Sequence, residues 1–208
     1  MANFEKQSKE QQILAAAEHE FLTKGYDGAR TTSIAHSAGV THAMLHYYFR
    51  TKEQLFERIV DEKFATVSNA MFAILGDPSL PLIERLKGGI EAHFDFIASN
   101  PMLPRFIINE IITRQERYEV LYKRARIVVN NIYNSLQSEI DQAARRNEIE
   151  WIDIRMLLIS IMSMNIFPFV VYPLMEPIMG ELVSDRERFL QERKAEHVET
   201  ILRRIKKQ

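Results

Sequence analysis

Cysteine is absent from the 208 residues. Disulfide frameworks, thiolate zinc sites and cysteine nucleophiles are thereby excluded, and a reducing, cytoplasmic setting is the expected one. Neither sign of charge is in excess: 27 basic side chains stand against 28 acidic ones, for a net charge of −1. The chain as a whole is therefore not a generic polyanion binder, although DNA affinity depends on where Lys and Arg sit rather than on their total. Glycine and proline number only seven each and fall mostly where helices would stop. No run alternates with period two for long, and no Asn-Gly or Asp-Gly turn separates β-branched runs, so hairpins have no signal. There is no internal repeat and no low-complexity linker. The opening MANFEKQSKEQQ is polar and lacks the apolar core of a secretory signal. Also missing is any nucleophile, acid–base pair or metal cluster at recognisable spacing, so neither enzymatic activity nor a cofactor nor a metal is expected. The six histidines supply one i, i+4 pair, His42 and His46, with no carboxylate nearby to complete a metal site.

What the chain does have is apolar surface at helical spacing. Hydrophobic residues make up 46% of it, enough for a sizeable core. Ile13, Leu14, Ala17, Phe21 and Leu22 form a first stripe that ends at Lys24-Gly25, a cationic last turn followed by glycine. Two short helices follow, Thr32 to Ser37 and Thr41 to Phe49. Thr51 and Gln54 then make a capping box ahead of a helix carrying Leu55, Phe56, Ile59, Val60, Phe64, Val67, Met71 and Ile74. Leu82, Leu86, Ile90, Phe94 and Ile97 form the next stripe, and a shorter apolar helix spans Pro104 to Arg114. Leu121, Ala125, Val128, Ile132, Leu136 and Ile140 mark a helix from about Glu116 to Arg146. Ser184 with Glu187 predicts a second capping box before a last, charged helix whose apolar face includes Phe189, Val198, Ile201 and Ile205. The expected class is all-α.

Met156 to Met175 carries no charged side chain, and its length suits a membrane span. Ser160, Ser163, Asn165, Pro168, Tyr172 and Pro173 interrupt it, and no basic cluster closely flanks one end. A helix that is apolar all round also suits the centre of a bundle or a dimer interface, which is the expected place for it. Pro168 and Pro173 are expected to kink or end that helix.

The window Thr31 to Lys52, TTSIAHSAGVTHAMLHYYFRTK, is the most informative. Two helices of about two turns joined by Ala38-Gly39-Val40 have the geometry that sets a second helix into a major groove. Ile34, Ala35, Val40, Leu45 and Phe49 are the apolar set that locks the pair together. Thr41, His42, Ala43, His46 and Tyr47 are left on or near the outer face, short or aromatic, with no acidic side chain to repel DNA. His36 reads as a solvated helix residue. The closing Arg203-Arg204-Ile205-Lys206-Lys207 reads as a solvated helix end.

Phe21-Leu22-Thr23-Lys24-Gly25-Tyr26, Thr31-Thr32-Ser33-Ile34-Ala35, Ala38-Gly39-Val40-Thr41, Leu45-His46-Tyr47-Tyr48-Phe49 and Lys52-Glu53-Gln54-Leu55-Phe56 occur in that order. Together they resemble the N-terminal domain of the TetR (tetracycline repressor) family over about a quarter of the chain. The resemblance implies a three-helix helix-turn-helix DNA-binding head, residues 1–55, on a larger helical body, residues 56–208, for effector binding and dimerisation. It implies phosphate contacts from Thr31 and Thr32, which are equally readable as helix caps, the two roles being compatible. It implies a recognition helix from Thr41 to Tyr48, with His42, Ala43 and Met44 at its leading end, His46 and Tyr47 on base edges or phosphates, and Lys52 holding a phosphate. Ala43 replaces a frequent glycine and His46 a frequent tyrosine, which leaves the depth of docking and the phosphate role of position 46 open. A protonated His46 would make DNA affinity fall as pH rises.

The same resemblance implies a homodimer paired through Glu116 to Arg146 and Asp153 to Met175, a double-stranded operator as partner, and release from it by a small apolar or aromatic effector in the body. Met71, His93, Phe94, Ile97, Asn109, Tyr133 and Met162 are the candidate effector contacts, with ordinary core packing as the competing reading. A ligand-independent DNA-binding regulator, an enzyme and a membrane-associated helical protein are the alternative functions.

Overall fold

The computed structural model describes residues 8–112 and 115–207, with the side chains of 111, 115–117 and 120 outside that description. The described residues form α1 (Lys9–Gly28), α2 (Thr31–Ser37), α3 (His42–Tyr48), α4 (Lys52–Leu75), α5 (Leu82–Ser99) and α6 (Leu103–Phe106). A π-helix (Ile107–Ile112) follows, then α7 (Gln115–Arg145), α8 (Ile154–Met179), α9 (Glu181–Ser184) and α10 (Arg186–Ile205). The fold class is all-α. No strand occurs among the described residues, and Ile149 and Lys206 make only an isolated bridge.

Helix ends follow local chemistry. Ser8 and Gln11 make a reciprocal capping box at the start of α1. The α2–α3 turn is a Schellman motif: Val40 N–H donates to Ala35 C=O at 3.0 Å and Gly39 N–H to His36 C=O at 3.1 Å. That motif needs a residue with positive φ, and Gly39 has φ 63°. Thr51 caps α4 by accepting from Gln54 N–H at 3.1 Å.

Three expectations are corrected. The cap of α10 is Asp185, which accepts from Arg188 N–H at 3.1 Å. Ser184 instead closes α9 and donates back to Glu181 C=O at 3.1 Å. Of the kink or end expected at the prolines after Trp151, the end does not occur: α8 runs through Pro168, Pro173 and Pro177 to Met179. Each proline removes one ladder bond, but Pro168 and Phe169 are buried and their packing opposes that loss. The apolar stretch from Pro104 is a turn of α6 continued as a π-helix, and Arg114, its expected end, lies outside the described residues.

The chain divides into two compact units. One takes the chain up to Phe64 together with Phe106–Leu121. Its core is Ile13, Ala17, Phe21, Ile34, Leu45, Leu55 and Phe56, all nearly inaccessible to solvent, and Phe106 lies 5.8 Å from Phe56 between ring centres. The other takes Ala65–Arg105 and Tyr122–Gln208. There Leu86 and Ile90 of α5, Ile132, Leu136 and Ile140 of α7, Leu157 and Ile161 of α8, and Val198, Ile201 and Ile205 of α10 form one continuous core. Phe94, Ile97 and Phe169 make a separate aromatic cluster.

α8 is long and apolar enough to cross a membrane by length and composition. One side of it, Ile154, Leu157, Leu158, Ile161, Asn165, Pro168 and Phe169, is buried in its own unit. The other side exposes Met156, Ile159, Met162, Phe167, Leu174, Ile178 and Met179.

Candidate nucleic-acid interface

Leu45 is the one buried residue of α3. It and the following Phe49 are buried, as are Ile34, Ala35 and Ala38 of the preceding helix and turn, and the rest of the α3 surface is outside. Thr41, His42, Ala43, Met44, His46, Tyr47 and Tyr48 are all exposed, Tyr47 to 83%. Thr41 also caps the helix, accepting from Met44 N–H at 3.1 Å. A short helix held by a single edge, with aromatic and imidazole rings in solvent, is shaped to meet something outside the chain.

The outer face is organised by contacts between its own side chains. His42 Nε2 and Thr31 Oγ1 are 3.0 Å apart, joining the starts of α2 and α3. His46 Nδ1 lies 3.2 Å from Arg50 C=O. A carbonyl only accepts, so Nδ1 carries the proton. The His42 and His46 rings meet edge to face at 4.3 Å, and Tyr47 and Tyr48 at 5.5 Å. Thr31 is half-buried and Thr32 exposed. From Thr31 to Tyr48 there is no carboxylate, while exposed Arg30 and Arg50 flank the stretch. Neither arginine is among the contacts expected from the sequence, although a cation just outside each helix of the pair is a visible signal.

Lys52 has a different setting. Its ammonium donates to Tyr26 C=O at 2.8 Å and Ala29 C=O at 3.1 Å, and sits 4.4 Å from the centre of the Tyr26 ring. It therefore staples the start of α4 to the α1–α2 junction. Buried Glu20 holds the same junction from the other side: it pairs with Lys24 at 2.8 Å and accepts the Arg30 backbone N–H, and Lys24 chiefly keeps its carboxyl below the ordinary range.

The residues proposed for an effector are spread over several settings. Met71 lies in the continuous core of the second unit, and half-buried Tyr133 packs against it with the Arg155 guanidinium 4.8 Å from its ring. Phe94 and Ile97 belong to the aromatic cluster. Met162 is exposed on α8, and Asn109 is exposed on the π-helix of the first unit.

His93 is buried in a polar chain that the sequence reading did not assemble. Asn165 Nδ2 donates to Ile90 C=O at 3.0 Å and lies 3.2 Å from His93 Nδ1. Nδ1 therefore accepts, and the His93 proton sits on Nε2. Asn165 Oδ1 accepts from His197 Nδ1 at 3.0 Å, and His197 Nε2 accepts from Arg193 at 2.7 Å. Burial brings both imidazoles down to about 4, helped at His197 by the Arg193 charge. The lone amide inside an uncharged helix was the available signal, since a buried amide must find partners. No cluster of three or more metal-ligating side chains occurs among the described residues.

Residues 13–59 match the family described as bacterial regulatory proteins, tetR family. The chain is similar to the HTH-type transcriptional activator FasR of Mycolicibacterium smegmatis, 31% identical over 50% of this chain and 48% of that protein, so the match spans about half of that relative's length. It is similar to the fatty acid metabolism regulator protein of Bacillus subtilis, 26% identical over 73% of this chain and 77% of that one. Its fold is that of a tetR-family bacterial regulatory protein from Rhodococcus RHA1, with a TM-score of 0.72 at 23% identity over 96% of this chain and 97% of that one.

Proposed function

From the premise that this chain is a TetR-family transcriptional regulator, we propose that it is a sequence-specific repressor released from its operator by a small apolar effector. The observation that carries this reading is α3, which buries Leu45 alone and leaves His42, Ala43, Met44, His46, Tyr47 and Tyr48 outside. In a major groove those side chains would meet base edges, while Thr31, Thr32, Thr41, Arg30 and Arg50 would meet phosphates. Lys52 would act chiefly by holding the α1–α2 junction, with its remaining N–H free in direction for a phosphate. Residues 1–55 take the DNA-binding role, and residues 56–208 the effector and pairing roles.

A palindromic operator needs two recognition helices about 34–36 Å apart, hence a two-fold pair of chains. The exposed apolar side of α8 supports pairing through that helix. Among the described residues of α7, Tyr118, Tyr122 and Ile127 are exposed. Similarity to a fatty acid metabolism regulator and the aromatic cluster of Phe94, Ile97 and Phe169 support an acyl-chain effector, with His93 Nε2–H able to donate to its polar end. Effector binding would favour a head separation that no longer fits successive grooves. Nothing in this mechanism calls for catalysis, and the setting is cytoplasmic.

The deciding experiment is titration of the DNA upstream of the chain's own gene by fluorescence anisotropy, with and without fatty acids and acyl thioesters. Saturable binding that tenfold excess random duplex does not displace, and that an acyl compound reverses, is the expected result. Binding no tighter than to random DNA would overturn the reading. Likeness to the activator FasR favours a second reading in which the same complex activates. A promoter-reporter strain without the gene separates the two, since output rises if the chain represses and falls if it activates.

A further inference from the structure

Gly25 is the one residue of α1 outside helical angles, at φ 70° and ψ 173°. A carboxylate from a distant part of the chain lies against this break. Glu110, on the π-helix, accepts from Tyr26 N–H through Oε2 at 3.2 Å. Its Oε1 would lie 2.7 Å from a Cβ at position 25, so the close approach requires glycine there in addition to the positive φ. The other backbone polar group of Tyr26, its C=O, is held by the Lys52 ammonium at 2.8 Å. One residue is thus gripped by an anion on its N–H and a cation on its C=O. Its ring completes the grip, 5.7 Å from Phe21 and 5.1 Å from Phe56.

This junction sits directly upstream of the DNA-facing helices. Five residues after Tyr26 the chain enters α2 at Thr31, whose hydroxyl meets His42 of α3. Phe106, buried against Phe56, anchors the segment that carries Glu110. That segment is π-helical, a rare form found frequently at functional sites. A carboxylate in a head that approaches phosphates opposes binding by its charge alone. Its place against the junction would act in the opposite sense, through geometry.

We infer that Glu110 is a positioning residue for operator recognition: its carboxylate fixes the Gly25–Tyr26 junction and so the angle at which α2 and α3 leave α1. The inference rests on the DNA-binding reading above. It places part of the recognition machinery outside the helix-turn-helix, in a segment about 50 positions beyond the matched residues 13–59.

Charge and geometry make opposite predictions for three substitutions in the full chain, each measured against the operator fragment and a random duplex. Glu110→Ala removes the acceptor, Glu110→Asp keeps the charge but shortens the reach, and Glu110→Gln keeps an acceptor oxygen without the charge. Ala and Asp are expected to weaken operator binding about tenfold while leaving random-duplex binding within about twofold, and Gln to stay within about threefold of the parent. Variants that all bind the operator like the parent would overturn the assignment. So would Ala and Gln that both tighten binding to both duplexes, because only charge would then be at work. Circular dichroism checks folding, and if the Ala variant is unfolded the Asp–Gln comparison decides alone. A parent that binds neither duplex sinks the DNA-binding reading itself, whereas a parent that binds with all variants equal sinks only the role of Glu110.

Discussion

Tyr47 leaves 83% of its surface in solvent, while Leu45, two positions earlier, leaves 1%. The contrast fixes what each can do: Leu45 holds the helix and Tyr47 is free to be read by a partner. Tyr47→Ala is expected to weaken operator binding by about 1–3 kcal/mol while shifting stability by less than about 0.5 kcal/mol, as exposed substitutions do. Anisotropy and a thermal melt check the two halves. Lys52→Ala should behave otherwise. It strips a cation from two carbonyls and an aromatic face, so both stability and DNA affinity should fall, the former by about 1–3 kcal/mol. A melting temperature that does not move, with a salt slope lowered by about one, would make it a phosphate contact only. The exposed face of α3 was legible because its residues alternate with the apolar set at helical spacing. The grip on Lys52 was not, because its partners are backbone carbonyls 26 and 23 positions away, and carbonyls carry no sequence signature.

At the level of helices, α5, α8 and α10 meet through Asn165, which binds the Ile90 carbonyl, His93 and His197 at once. Asn165→Leu would fill similar volume but leave those groups unpaired, and stability is expected to drop by about 1–3 kcal/mol for each orphaned group. The same junction sets a pH dependence. Both imidazoles have folded values of about 4 against 6.5 in the unfolded chain, so between those limits the unfolded state binds more protons. Stability is therefore full above about pH 6.5 and falls as the pH drops towards 4, by up to about 1.4 kcal/mol per pH unit for each histidine. Urea midpoints at pH 7.5 and 5 test this, and equal midpoints would mean that neither histidine is buried as a neutral ring. Arg193, which faces His197, acts in the same direction as burial, and Glu196 opposes it. The helices themselves were largely legible, because apolar stripes, Gly39 and the Thr51 cap act locally. The prolines were legible only in part: locally Pro168 and Pro173 are places to kink or end a helix, and the buried Pro168 and Phe169 oppose an end. The cap of α10 misled, since Ser184 and Asp185 are both good caps and only the short α9 decides between them.

For the whole molecule, an uncharged stretch was legible at once as something that must be covered, but not which of its residues face out, because a helix apolar all round has no moment to read. Met156, Ile159, Ser163, Phe167, Leu174 and Ile178 recur three, four or seven positions apart and all are exposed, so they trace one stripe along α8. At 26 residues and 1.5 Å rise per residue the helix runs about 39 Å, long enough to pair with a copy of itself over a stable interface. The outward positions of α10, among them Arg188, Glu192, Glu196, Glu199 and Arg203, are charged and largely paired with one another. They offer little apolar surface to compete for that pairing. Phe167 and Leu174 are exposed to 63% and 64%, so placing a charge there should spare the fold of one chain while opposing burial against a second. Phe167→Glu and Leu174→Glu are each expected to shift sedimentation from dimer to monomer without loss of helicity. Operator binding should then fall to the level of random DNA, because a single head engages one half-site and loses the gain from joining two. A variant that stays dimeric, or a monomer that holds the operator as tightly as the parent, would rule out pairing through α8 as the source of specificity.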